Sequence, residues 1–324
     1  MADTLTTLAE LVRFNSQDVN PADITNILKG APVLRALHAM QSSNGTTHKY
    51  NIETTAPVIG FRAVNAGADI TASISTQVSI DLKYIDAKIA EDVALANSYR
   101  GGAAAWLDNR TMRQLRQALF ILEKQFFNGT VGGDASGFLG LADDANYDKK
   151  NDTLVVDAGG TTADTGSSVW FLRSTPDDSD VALVGAGDNA LSTPNINVTV
   201  GDIFQTMVLG SNSKQMIVYA RECGGHLGVQ IGSKYAVARI CNLTADSGKG
   251  LTDLLLAQAL EKFPSADPPT HICLNRRSLS QLQRSRTTYS PVGAPAPRPT
   301  EYEGIPIIVT DAITSTEALL GNNA

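Results

Sequence analysis

Between Ile70 and Tyr84, apolar and polar residues alternate without a break. Ile70, Ala72, Ile74, Thr76, Val78, Ile80, Leu82 and Tyr84 fall on one side, and Thr71, Ser73, Ser75, Gln77, Ser79, Asp81 and Lys83 on the other. A period of two is the signature of a half-buried strand. Fifteen residues of it would run roughly 45–50 Å at about 3.3 Å per residue, whereas ordinary strands have about 5–6 residues. The expected partner runs from Thr47 through Ile52 to Val64, with a turn at Asn65-Ala66-Gly67-Ala68-Asp69. A two-stranded ribbon of this length cannot bury its apolar face on one small domain. The pattern therefore predicts an arm that projects and needs a neighbour; the competing reading is a strand pair inside one sheet of a β-sandwich.

The next signal has the helical period. Residues 103–127 contain no Gly or Pro, and Leu107, Thr111, Leu115, Ala118, Leu119, Leu122 and Phe126 form a stripe at three-to-four spacing, closed by Asn128-Gly129. A helix of this length spans about 38 Å. Arg110, Arg113, Arg116 and Lys124 are expected to form a solvated face. Residues 1–43 predict short helices around Leu5–Val12, from Pro21 to Lys29, and from Val33 to Met40. After residue 128 the chain turns rich in Gly, Asp and Thr, interrupted by expected strands at 153–156, 168–172 and 181–184. Further on we expect a helix over 200–209, strands at 215–220 and 227–240, and a helix over 251–263. A strand at 271–274, a helix over 276–284, a Pro-rich loop over 290–299 and a closing strand at 305–309 complete the order. Both faces of that last strand are apolar, which predicts burial on both sides, with Pro306 at an edge or strand start. The absence of a regular βαβ repeat argues for an α+β fold.

Composition narrows the function classes. Of 324 residues, 43 % are hydrophobic and 18 % charged, with a net charge of −7. That is globular composition, and the acidic balance argues against wholesale nucleic-acid coating. Three dispersed cysteines without a CxxC exclude a disulfide scaffold and a cysteine-rich zinc site. No apolar run is long enough to span a bilayer.

Candidate chemistry is thin. Asp246-Ser247-Gly248-Lys249-Gly250 lacks the earlier glycine of a phosphate-binding loop, because position 243 is Leu. The glycines at 129–140 follow a helix instead of a strand, against the dinucleotide fingerprint. The histidines at 38, 48, 226 and 271 are scattered. His271 and Cys273 share a strand face without a third ligand. No catalytic residue, cofactor or metal site is predicted; the remaining enzyme reading is a hydrolase built on Asp134 or Asp144.

The order of elements resembles the major capsid proteins of tailed bacteriophages with the Hong Kong 97 fold. Local stretches carry the likeness. Phe127-Asn128-Gly129 is followed by Gly137-Phe138-Leu139-Gly140-Leu141; then come Gly166-Ser167-Ser168-Val169-Trp170-Phe171-Leu172, Leu227-Gly228-Val229, Tyr235-Ala236-Val237-Ala238-Arg239-Ile240 and Tyr302–Ile313. The resemblance implies an N-terminal arm (1–45) and an extended hairpin loop (46–90). It implies a peripheral domain (91–199) with the spine helix 103–127 and a β-rich insertion, an axial domain (200–300), and a return strand to the peripheral domain (301–324). It further implies an icosahedral head shell, made of hexameric and pentameric capsomers, that encloses double-stranded DNA. Such a shell would be a non-enzymatic virion component assembled in the host cytoplasm, with no membrane. Separate scaffolding and portal proteins are expected as partners, a decoration protein is a further candidate, and the short segment before the hairpin implies no cleaved scaffolding segment. An encapsulin-like bacterial nanocompartment shares the fold and is the alternative. The candidate inter-subunit residues lie on the hairpin arm, taken as 57–76: Val58, Phe61, Arg62, Asp69 and Ile70, with Arg62 and Asp69 expected to form ion pairs across subunits.

Overall fold

The computed structural model describes residues 30–67, 71–143, 153–177, 180–186, 199–210, 213–288 and 295–321. The helices expected before residue 30 lie outside the described residues. The elements run β1 (His38–Gln41), β2 (Thr47–Thr55), β3 (Ile74–Asp81), β4 (Lys83–Asp86), β5 (Ile89–Asp92), α1 (Val93–Asn97) and α2 (Gly102–Gly132). There follow β6 (Val155–Asp157), β7 (Val169–Leu172), β8 (Val181–Gly185), β9 (Thr199–Val200), β10 (Phe204–Leu209), β11 (Gln215–Arg221), β12 (Cys223–Ile231) and β13 (Val237–Cys241). The chain ends with α3 (Asp253–Leu260), β14 (His271–Leu274), α4 (Arg276–Thr288), β15 (Glu301–Tyr302) and β16 (Ile305–Val309). The fold is α+β, as the mixed order predicts.

Four strand groups organise it. One sheet has the order β1-β8-β12-β4 with β9 on β12; a second has β10-β11-β5; a third has β15-β16-β14-β7-β13-β6; and β2 pairs only with β3. The third sheet holds the centre of the core: Trp170, Phe171, Ile240 and Ile272 are all fully buried. Two of its strands, β6 and β7, come from the expected insertion before residue 199, and β16 joins it beside β14 in parallel.

The spine helix α2 forms where the apolar stripe predicts it. Leu107, Thr111, Ala118, Leu122 and Phe126 are buried, with Trp106 and Phe127 added. Gly129 breaks it, with φ 56° and ψ −144°. That backbone is in the left-handed region, where a side chain is strained, and a Cβ there would also collide with the Asp143 carboxylate. The break lets the chain fold straight back on the helix. Leu141 and Ala142 donate to the carbonyls of Phe126 and Phe127 at 2.8 and 2.9 Å. Buried Gln125 donates to the Phe138 carbonyl at 2.7 Å and accepts from the Asp134 amide at 2.7 Å. Asp143 accepts from the amides of Thr130 and Gly140. The Phe-Asn-Gly and Gly-Phe-Leu-Gly-Leu stretches are therefore one polar knot at the helix end.

Glu123, also on α2 and fully buried, ties distant parts of the chain together. Its carboxylate accepts from the amides of Val33 and Leu34, at 2.8 and 3.3 Å, and from the Thr310 hydroxyl. Burial pushes its pKa up, against the lowering effect of those hydrogen bonds.

Five expectations change. The segment 33–40 is no helix: a single 3-10 turn at Val33–Arg35 leads into β1, which pairs in parallel with β8. Residues 200–209 form β9 and the edge strand β10 instead of a helix. The long strand 227–240 is two strands, β12 and β13, with a 3-10 turn at Lys234–Ala236 between them. The closing strand β16 is only partly covered: Ile305 is buried, Pro306 is exposed, and Ile307, Ile308 and Val309 are half-buried. Finally, Arg110 leaves the solvated face, since it stacks 4.5 Å from the Trp106 ring and pairs with Glu91 at 3.6 Å.

Candidate assembly surface

The alternating run predicted as one strand is divided in the structure. Residues 74–81 are β3 and pair with β2, while 83–86 are β4 and pair with β12 in the body. The pivot is Leu82, which is buried. It packs over Gly228 of β12, where a Cβ would lie 2.6 Å from Leu82 Cδ2. A side chain there would have to push the Leu82 methyl aside, so the glycine lets the buried pivot rest on backbone.

The ribbon leaves the body from a polar root. Buried His48 on β2 accepts from the Ser43 amide at Nδ1 (3.1 Å), so its Nε2 carries the proton donated to Gln230 Oε1 at 2.6 Å. Tyr50 stacks on it, with ring centroids 5.6 Å apart, and donates to the Ile231 carbonyl at 3.1 Å. Burial raises the Tyr50 hydroxyl pKa. From this root the ladder runs from Thr47↔Asp81 to Thr55↔Ile74, with an irregularity between Glu53 and Thr55.

Past Thr55 the regular ladder ends. The two legs meet once more, at Val58 and Thr71, where the Val58 amide donates to Thr71 Oγ1 at 3.2 Å. Asn65 turns the tip with φ 68°. Ile59 is 88 % exposed and Val64 91 %, Phe61 is fully exposed, and Val58 and Ile74 are more than half exposed. The apolar clusters of the body take in no described residue of the arm between 47 and 81. Soluble chains scatter exposed apolar residues singly; a contiguous group marks a contact.

The sequence-predicted contact residues divide accordingly. Val58, Phe61 and Arg62 are together on the tip, and Arg62 Nη1 donates to the Ala66 carbonyl at 3.1 Å. Asp69 and Ile70 lie outside the described residues, and with them the expected Arg62–Asp69 pairing. A second exposed apolar group was not singled out from the sequence. Met207 is 64 % and Leu209 69 % exposed on β10, beside Ile217 on β11 at 50 %. The signal was the run Phe204–Leu209 itself, whose apolar residues also satisfy helical spacing.

Candidate catalytic groups have structural employment. Asp134 caps its own turn by accepting from the Ser136 amide at 2.9 Å; Asp144 lies outside the described residues. Asp246 fastens two loops, accepting from Thr161, Thr162 and Thr244, and these hydrogen bonds lower its pKa to about 2. Cys223, Cys241 and Cys273 are buried and form no disulfide. Among the described residues, no helix is long and apolar enough to cross a membrane.

Comparison with known proteins converges on these features. The profile of the family described as Major capsid protein GP7 matches residues 16–321. No curated protein matches the sequence. Among solved structures, that of bacteriophage Epsilon15 aligns over 99 % of this chain and 98 % of its own, with 17 % identity and a TM-score of 0.66. The bacteriophage JBD30 capsid aligns over 95 % and 99 %, with 9 % identity and a TM-score of 0.47. The holo-SrpI encapsulin of Synechococcus elongatus aligns over 74 % and 96 %, with 9 % identity and a TM-score of 0.47. An arm whose tip the described residues leave uncovered fits a chain that one family profile matches over nearly its whole length: the chain belongs to the Major capsid protein GP7 family, structural and non-enzymatic proteins with the Hong Kong 97 fold that form the icosahedral head shell of tailed bacteriophages.

Proposed function

We propose that the chain assembles by laying its β2–β3 arm over a neighbouring subunit, in hexameric and pentameric capsomers whose shell encloses double-stranded DNA. The observation that carries this is the contrast within the arm. Its root is bonded to β12 through His48 and Tyr50, while its tip exposes Val58, Ile59, Phe61 and Val64 with no cover from the described residues. Burying such side chains is worth roughly 1.5–3 kcal/mol each when complete. Arg62, Asp69 and Ile70 belong to the same proposed contact. There an exposed ion pair adds only about 0–1 kcal/mol and sets register more than strength.

The segments follow from this reading. Residues 1–45 are the N-terminal arm, 46–90 the extended loop, 91–199 the peripheral domain, 200–300 the axial domain and 301–324 the return strand, with β6 and β7 lent across the 199/200 boundary to the six-stranded sheet. Assembly takes place in the host cytoplasm with separate scaffolding and portal proteins, and a decoration protein is a candidate partner on the finished shell. The test is the content of particles purified from infected cells. Nuclease-protected double-stranded DNA inside uniform polyhedral shells supports the reading; shells filled with a cargo protein would move the chain to the encapsulin alternative.

A further inference from the structure

The second exposed apolar group lies on a different element from the arm. β10 is the terminal strand of the β10-β11-β5 sheet, so among the described residues one of its edges is unpaired. Edge strands are ordinarily guarded by lysine, proline, a bulge or brevity, because open backbone groups recruit another strand. β10 has none of these. Its six residues, Phe204-Gln205-Thr206-Met207-Val208-Leu209, carry no charge, no Pro and no Gly, and its register with β11 is unbroken from Phe204↔Ala220 to Leu209↔Gln215.

The two faces of this ribbon differ. Opposite Thr206 and Phe204, the β11 residues Val218 and Ala220 are buried against the body. On the other face Met207 stands directly across from Ile217, with Leu209 beside it, and all three are exposed. A strand that is open along its edge and apolar on its outer face needs a partner that is itself an uncharged strand.

We infer that β10 pairs antiparallel with β10 of a second copy of this chain, around a twofold axis through Met207. Three observations select this occupant. First, an uncharged strand meets its own copy without opposing like charges. Second, Asp202 precedes β10, and Lys214 closes the turn after it through the Gly210 amide. Antiparallel pairing brings Asp202 of one copy toward the Gly210–Lys214 turn of the other, whereas parallel pairing sets like against like. Third, a twofold perpendicular to the sheet keeps each face continuous, so Met207 meets Met207 and Gln205 meets Leu209. The outer face then carries an unbroken apolar rung: Ile217 and Met207 of one copy, then Met207 and Ile217 of the other. The result is a six-stranded sheet, β5-β11-β10 joined to its copy, and an isologous contact of the kind twofold symmetry requires. This contact uses no residue of the arm; it rests on the shell reading only in that copies must meet, and icosahedral shells supply twofold axes.

The test is cysteine cross-linking in assembled shells of the full chain. The three native cysteines are buried, so an added thiol is the reactive one. Directly opposed strand residues have Cα atoms about 4.5–5.5 Å apart, within the span of a disulfide. Copper-phenanthroline with dissolved oxygen takes up the two electrons and two protons released by a thiol pair. Met207→Cys should give a dimer band on non-reducing gels. Leu209→Cys alone should not, because its copy is about 14 Å away along the strand. The double variant Gln205→Cys with Leu209→Cys should restore the dimer. Absence of the Met207→Cys dimer in shells overturns the inference, as does equal cross-linking by Leu209→Cys alone. If Met207→Cys subunits do not assemble, the double variant decides by the same criterion. Shells that form normally without these cross-links would refute the β10 contact and leave the capsid reading standing.

Discussion

Replacing residues 56–73 by a two-residue Gly-Ser turn separates the arm's part in folding from its part in assembly. The ends are chosen by register: Thr55 and Ile74 are cross-strand partners, so a short turn closes the ribbon into an ordinary hairpin. The longer sequence-based choice of 57–76 would remove rungs of the ladder, including Ile52↔Thr76 and Glu53↔Ser75. The subunit loses little. The described hydrogen bonds given up are exposed ones, from the Val58 amide to Thr71, from Arg62 to the Ala66 carbonyl and from the Ala66 amide to the Ala63 carbonyl, and a typical net value is about 0.5–1.5 kcal/mol even where water is excluded. Against that, shortening the loop ninefold recovers roughly 2 kcal/mol of closure entropy. The melting temperature of the free subunit should therefore hold or rise. Assembly loses far more. Val58, Ile59, Phe61 and Val64, if buried in the lattice, contribute about 6 kcal/mol per subunit at the low end of the burial scale. Thermal melts of the soluble subunit, with sedimentation and negative-stain microscopy of the assembly reaction, read both quantities. A folded, cooperative subunit that makes no closed shells is expected. Unfolding of the variant would place the segment in a core sheet, and shells at the normal yield would show that the tip is not a contact; either refutes the reasoning.

Three further outcomes follow from the same contacts. Glu123→Ala strands two buried amides and a hydroxyl, at about 1–3 kcal/mol each, so denaturant midpoints should fall by an amount equivalent to at least about 3 kcal/mol. Because burial raises the Glu123 pKa, its contribution is greatest below the unfolded carboxylate value of about 4.3 and is lost as pH rises through the folded value; Glu123→Gln should flatten that slope in pH-dependent melts, and an unchanged slope would contradict it. Asp246 has the opposite sign. Its pKa is lowered to about 2, so stability present above about pH 4 is lost on acidification toward 2, and Asp246→Asn should remove that acid limb and lower stability at neutral pH toward the level the parent reaches at the acid end. The chain has no lysine between Tyr50 and Leu82, so beyond Lys49 at its root the arm offers no amine for an isopeptide bond, and boiled shells should run as a single band of monomer mass where a ladder would show otherwise.

Elements whose apolar residues are buried by their own chain were legible from period alone. The spine helix is the clearest case, because its stripe of Leu107, Thr111, Ala118, Leu122 and Phe126 faces the body and its stop at Gly129 is a backbone requirement. Two segments were misread for different physical reasons. Val33, Leu34 and Leu37 have helical spacing, but hydrogen bonding of 38–41 to β8, far away in sequence, outweighs local preference. The buried polar anchors were also invisible, since Glu123 and Gln125 look like solvated helix positions until Val33, Thr310 and Phe138 are brought to them.

The second misreading bears on function. Phe204–Leu209 reads as a helix because its apolar residues occupy both strand faces, and strict alternation is lost when the outer face is apolar too. A strand that serves only its own core would place polar residues at Met207 and Leu209. The alternation from Ile70 to Tyr84 departs from self-sufficiency in the other direction. Its period is perfect, yet among its described residues only Leu82 is buried; Val78 and Ile80 are half-buried, and Ile74 and Tyr84 are exposed. In both places the sequence carries apolar surface that the described residues of the single chain leave exposed. The features that defeat a single-chain reading are thus the ones the two proposed contacts use. On the arm, that surface is carried from a fixed root, where buried His48 and Tyr50 bond to Gln230 and Ile231 of β12.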